Sequence, residues 1–201
     1  MSMPTPTLAR DALVLENRHT GERLELRRIV RNSETWLELR GTLPPHRQGP
    51  PLHQHLAEAE ELHVKSGTLS VEMDGRQFTV GAGEIAAVPP GSVHRWWNDS
   101  DETLVVDGYA KPLVDLDRYL QAAFDVLNRS NAERPSLFYM AHLTWRHRRT
   151  QTVLFMPTAA QAIVLPLIVS VGTILGRYRG TDWPGAPERC VDAPLCADDT
   201  V

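Results

Sequence analysis

Two short segments, separated by 15 residues, constrain this chain more than anything else in it. The first reads His53-x-His55-x4-Glu60-x6-Gly67, and the second reads Gly83-x5-Pro89-x-Gly91-x2-His94-x3-Asn98. Side chains two apart on an extended strand project to the same face, so His53 and His55 point the same way. Glu60 opens the alternating stretch Glu60 to Ser66, where Leu62 and Val64 share its face and direct its carboxylate inward. His63 is out of phase with them, is expected to point outward, and is not counted as a ligand. His94 follows a strand and a tight turn, and Trp96 shares its face. Trp96 is read either as a cavity wall or as a plain core tryptophan. Imidazole nitrogen and carboxylate oxygen are suitable donors for first-row divalent metals. Taken singly, each residue says little. His-x-His arises by chance, Glu58, Glu60 and Glu61 can form a solvated face, and a lone core histidine is commonly bonded to a backbone carbonyl.

The surrounding chain reads as short strands. Leu24 and Leu26 alternate with Arg23, Glu25 and Arg27, and Leu37 and Leu39 alternate with Glu38 and Arg40. The same period appears at Leu69, Val71 and Met73, whose opposite face carries Ser70, Glu72 and Asp74. Asp74-Gly75 then supplies a hairpin turn before Phe78 and Val80 resume the pattern. Strands at this spacing, separated by turn residues, predict a mainly β sandwich or barrel over residues 11–111.

The two segments resemble the two sequence motifs of the cupin family, and the second fits at all five fixed positions. Chance agreement there, for one placement, is on the order of one in a million at average residue frequencies. The first motif departs from the family pattern in one place. Its leading glycine usually lies six residues before the first histidine, whereas Gly49 lies four before His53, which predicts a shorter or reshaped loop. The resemblance implies a jelly-roll barrel holding one divalent metal ion through His53, His55, Glu60 and His94. Four protein ligands leave up to two open positions on a six-coordinate ion, for water, dioxygen or a chelating substrate. Fe, Mn, Ni, Co, Cu and Zn all suit this donor set.

Beyond the barrel, Pro112 suits a first helical position, and Leu113, Leu116, Leu120, Phe124 and Leu127 recur at helical spacing. A second helix is predicted from Pro135 to about Arg149. A helical extension over 112–180 and an acidic, Pro-rich tail over 181–201 complete the expected organisation. Val153 to Leu175 is a run of 23 residues without a charge, long enough to cross a bilayer. The arginines on either side favour a cytoplasmic barrel if it does. Pro157, Gln161 and Pro166 argue instead for short helices packed on the barrel or across a dimer. A membrane contact through 153–175 and a homodimer are both carried forward as expectations.

Composition excludes some functions. The formal charge of -4 gives no general attraction to nucleic acid, and no signal peptide is evident at the start. Cys190 and Cys196 both lie in the tail, so disulfides do not hold the fold. The expected partner is a small-molecule ligand. The leading functional expectation is a metal-dependent, oxygenase-like enzyme in which Glu60 serves as ligand and proton acceptor. The alternatives are a non-catalytic binding or sensing module and a membrane-attached accessory protein, and fold alone does not choose among them.

Overall fold

A computed structural model of the chain describes residues 12–129 and 135–178. The tail expected over 181–201, with Cys190 and Cys196, lies outside the described residues. The barrel region is built from β1 (Leu13–Glu16), β2 (Arg23–Arg31), β3 (Glu34–Leu43), β4 (Arg47–Gln48), β5 (His53–His55) and β6 (Ala59–Ser66). It continues through β7 (Thr68–Met73), β8 (Arg76–Gly81), β9 (Ile85–Val88), β10 (Val93–Asn98) and β11 (Leu104–Lys111). Then come α1 (Leu116–Arg129), α2 (Leu137–His147), β12 (Gln151–Val153) and α3 (Thr158–Ile174).

These strands form two antiparallel sheets. One has the order β1-β2-β3-β11-β6-β9, and the other β12-β5-β10-β7-β8, with β4 paired to β10. The two-residue period of the sequence sorts the side chains as expected. Leu26, Leu37, Leu43, Leu62, Leu69 and Leu104 are fully buried in the core, while their neighbours in sequence, the buried Glu25 and Ser70 apart, are less buried. Asp74 and Gly75 turn the β7–β8 hairpin with φ of 49° and 78°, the doubly positive pattern that matches the strand twist. The architecture is the predicted mainly β jelly roll followed by helices.

The helices differ from expectation in two places. Pro112 does not open α1, which begins at Leu116. The backbone N–H groups of Val114, Asp115 and Leu116 all donate to Oε1 of Glu58, at 3.0, 3.3 and 3.2 Å. A carboxylate from the barrel therefore sets where the helix starts, satisfying donors that would otherwise be orphaned. Glu58 is accordingly 1% exposed and is no part of a solvated face. From there α1 lies over one end of the barrel and buries Leu116 and Phe124 against the core, each contributing on the order of 1.5–3 kcal/mol.

The uncharged run over 153–175 does not make one spanning helix, which corrects the expected membrane span. Val153 ends β12, a strand that pairs with β5 at the edge of the second sheet. Gln161 is buried and donates to the carbonyls of Val153 (2.8 Å) and Met156 (3.0 Å), folding the start of α3 back onto that strand. The 17 residues of α3 contain Pro166 and span about 26 Å, short of the ~30 Å hydrocarbon core. Among the described residues no helix is long and apolar enough to cross a membrane.

Candidate metal centre

β5 and β10 are neighbours in the second sheet, and their register sets His53 directly opposite His94. His55 lies two residues along β5 on the same face. The other sheet contributes Glu60 from β6, so ligand-type side chains meet across the barrel interior. All four are buried. The ligand nitrogens of His53, His55 and His94 lie within 4.8 Å of one another. Oε2 of Glu60 borders this trio, 3.4 Å from Nε2 of His94 and 3.8 Å from Nε2 of His55. His63 lies on the other face of β6, against Glu61 and Tyr109.

Hydrogen bonds behind the rings decide which nitrogen faces inward. Nδ1 of His53 is 2.9 Å from the carbonyl of Pro51, and Nδ1 of His94 is 3.1 Å from the carbonyl of Ser92. A carbonyl can only accept, so each Nδ1 carries the proton and each Nε2 presents a lone pair. Nδ1 of His55 is hydrogen-bonded to Oε1 of Gln151, with the same consequence. Nε2 of His53 and Nε2 of His55 then face each other at 3.2 Å, lone pair against lone pair. Nε2 of His94 and Oε2 of Glu60 are buried with no hydrogen-bond partner. Buried polar atoms are almost always satisfied, and a cation among these four residues would satisfy all of them at once. The residues present therefore fit a divalent metal.

In the metal-free site the electrostatics agree for His53 and Glu60 and run the other way for His94, which a metal would have to deprotonate. Burial, followed by the neighbouring imidazoles of His94 and His55, pushes His53 down to about 3, which keeps it neutral and able to ligate. Burial alone would raise Glu60, but the surrounding histidines, His94 foremost, hold its carboxyl down to about 2. Burial lowers His94 while the Glu60 carboxylate raises it, and the carboxylate wins.

The turn before β10 is tied to β5 from both sides. Gly91 donates its N–H to the carbonyl of His55 at 2.7 Å, and its own carbonyl accepts from the Gln54 side chain. Its φ is +82°, a conformation that favours glycine. Gly49, the displaced glycine of the first motif, has a different task. A Cβ there would sit 2.5 Å from the carbonyl oxygen of Trp96 and 2.8 Å from its ring, so only glycine permits this approach.

His53, His55 and Glu60 line a cavity of about 570 Å³ between the barrel and α1, and His94 lies behind them. Its walls are largely apolar, including Leu24, Leu39, Leu62, Trp96 and Phe124, and Trp96 is thus both core and cavity wall. Among the described residues two carboxyl groups line it, Glu60 and Glu22. Sequence reasoning missed Glu22, which sits at a strand start among turn residues with nothing to mark it. It is buried, and burial pushes its carboxyl up to about 7. Gln151 and Glu58 were missed as well, because their partners are 96 and about 57 residues away.

Comparison with known proteins agrees with this geometry. Residues 39–109 match the family described as "Cupin domain", a stretch that holds both motifs. Residues 39–109 of this chain are a cupin domain. Among curated relatives, "Oxidoreductase iacF" of Pestalotiopsis fici is 35% identical over 79 residues, covering 38% of this chain and 39% of that protein. "Gentisate 1,2 dioxygenase 1" of Aquipseudomonas alcaligenes is 33% identical over 67 residues, covering 33% of this chain and 19% of that protein. The chain spans two fifths or less of the length of the curated relatives it matches. A solved structure titled as a predicted oxalate decarboxylase from Thermotoga maritima covers 53% of this chain and 100% of its own, at 20% identity and a TM-score of 0.42.

Proposed function

We propose that this cupin is a metal-dependent, oxygenase-like enzyme that acts on a small, largely apolar organic molecule. The observation that carries the reading is the convergence of three inward-facing Nε2 atoms and one unpartnered carboxylate oxygen beside an apolar cavity that His53, His55 and Glu60 line. His53, His55, Glu60 and His94 would hold one divalent ion, from among Fe, Mn, Ni, Co, Cu and Zn. Such an ion supplies a Lewis acid with open positions for water or a chelating substrate. The names of two relatives, an oxidoreductase and a gentisate dioxygenase, point toward redox chemistry on a small molecule.

The chain's own residues divide the remaining work. Leu24, Leu39, Leu62, Trp96 and Phe124 would bind the substrate by apolar contact and keep bulk water from the site. Glu60 is proposed as the fourth ligand and as a proton acceptor beside it. With its carboxyl near 2, the first role suits it better than the second. Glu22, near 7 in the same cavity, is matched to exchanging a proton at neutral pH. A second acid in the cavity favours catalysis over simple binding. The homodimer expected from the sequence remains part of this proposal. Ile163, Leu167 and Ile174 on α3 are 66%, 61% and 80% exposed in the single chain.

Metal analysis of untagged protein, beside His53→Ala and His94→Ala, is the direct test. Wild type should carry close to one equivalent and each variant a small fraction of it, with the barrel still folded. Equal metal content in all three would end the assignment. Oxygen-uptake measurements with small phenols and diketones then test the reaction. Ligand binding without turnover across the panel would move the reading to a non-catalytic binding module.

A further inference from the structure

The three histidines are not oriented by the same means. His53 and His94 each bond the carbonyl two residues earlier on their own strand, Pro51 and Ser92. His55 instead bonds the side chain of Gln151, 96 residues away and beyond two helices. β12 pairs antiparallel with β5 in a register that sets Gln151 opposite His55, so the two side chains share a face. Both are buried, at 3% and 4% exposure.

An amide can present either its oxygen or its nitrogen, and the two choices have opposite effects on His55. An oxygen accepts the Nδ1 proton and leaves Nε2 bare for a metal. An amide nitrogen would need an acceptor, leaving Nδ1 bare and placing the proton on Nε2. Glu58 decides between them. Nε2 of Gln151 lies 2.6 Å from Oε2 of Glu58 and 3.4 Å from Oδ1 of Asp115, two groups that accept. The nitrogen end of the amide is thereby held away from His55 and the oxygen end toward it. Glu58 is itself immobilised, because its other oxygen accepts the three N–H groups at the start of α1. Asp115 is in turn held by Nδ1 of His147, at 2.7 Å, at the end of α2.

We propose that Gln151 is a positioning residue of the metal centre, which fixes His55 in its Nδ1–H form and is itself fixed by Glu58. The inference rests on the metal-binding reading above and deepens it. The short strand β12, outside both motifs, becomes part of the centre, and the carboxylate that starts α1 also orients a ligand. Partners behind a metal-bound histidine are typically worth 10–100-fold in metal affinity.

Two same-size substitutions test this. Gln151→Leu keeps the volume and removes the acceptor. Glu58→Gln is the more discriminating change. The N–H groups of α1 require an oxygen, so the new amide nitrogen at position 58 would face Gln151 and force its amide to turn over. In ¹⁵N-resolved NMR of metal-free protein, wild-type His55 is expected as the Nδ1–H tautomer. Both variants should shift it toward Nε2–H, while His53 and His94 stay as they are. Calorimetric titration with Ni²⁺ should show affinity reduced about 10–100-fold in each. The exchanged pair Glu58→Gln with Gln151→Glu restores an acceptor beside His55 and a donor beside position 151, and should recover both readouts. An Nε2–H tautomer in wild type, or unchanged tautomer and affinity in both variants, overturns the positioning role and leaves the metal centre standing. The expected tautomers in a wild type that binds no Ni²⁺ would support the hydrogen-bond lock and defeat the metal reading instead.

Discussion

Replacing Glu22 by glutamine should make the protein more stable, and by an amount that depends on pH. The carboxyl lines the cavity with apolar neighbours and is pushed up by burial from its ordinary 4.5 to about 7. An acid whose folded-state pKa is raised binds its proton more tightly in the native than in the unfolded chain. Between pH 4.5 and 7 the native state therefore holds more protons, and stability falls as pH rises through that window. Below pH 4.5 the group is neutral in both states and costs nothing on this account. Above pH 7 it is ionised in both, and its burial carries the full penalty. At 1.36 kcal/mol per pH unit, the span from 4.5 to 7 amounts to roughly 3 kcal/mol. Glutamine has nearly the same shape and does not ionise. The difference in unfolding free energy between Glu22→Gln and wild type should therefore rise by about 3 kcal/mol from pH 4.5 to pH 8 and then level off. Urea unfolding of chelator-treated protein at half-unit pH steps measures it, and subtracting the two curves removes every group they share. A difference that stays flat over this range would refute the reasoning and with it the case for Glu22 as a proton carrier near neutrality.

Two further outcomes are expected at the glycines that shape the site. Gly91→Val puts a β-branched residue at φ +82° and should cost about 1–3 kcal/mol in thermal or urea unfolding; unchanged unfolding would mean that the turn does not need this conformation. Gly49→Ala sets a Cβ 2.5 Å from the Trp96 carbonyl oxygen and should cost about 1–3 kcal/mol while shifting the Trp96 environment, read by near-ultraviolet circular dichroism. A folded, unshifted variant would show that the loop before β5 yields freely.

Much of the barrel was legible because its signals are local. The alternation at Leu24 and Leu26, or at Leu69 and Val71, needs only a two-residue period, and Asp74-Gly75 marks its own turn. His53, His55 and His94 come together for a related reason. Each follows a short run of fixed spacing, and the strands that carry them are adjacent in the sheet. What stayed hidden depends on where distant segments land. Helical spacing in Leu116, Leu120 and Phe124 revealed a helix but not that it would wall the cavity. Pro112 was a reasonable local start for that helix, and Glu58, some 57 residues earlier, displaced it. An apolar run of 23 residues looked like a membrane span because hydrophobicity is summed along the chain. Its first residue is instead the end of a strand paired with β5, and Gln161 bends the rest back onto that strand.

The same distinction runs through the centre itself. For His53 and His94, the partner behind the ring is the backbone of their own strand, so a motif that places the histidine also settles its tautomer. For His55 the motif settles the position alone. Which nitrogen faces the other ligands depends on Gln151, whose amide orientation depends on Glu58, whose carboxylate is held by the first N–H groups of α1. A motif can therefore place all three histidines and still leave His55 with the wrong nitrogen inward if the segment after α2 were lost or changed. The helical extension and β12 are, on this argument, part of what would let the barrel's interior hold the proposed metal ion.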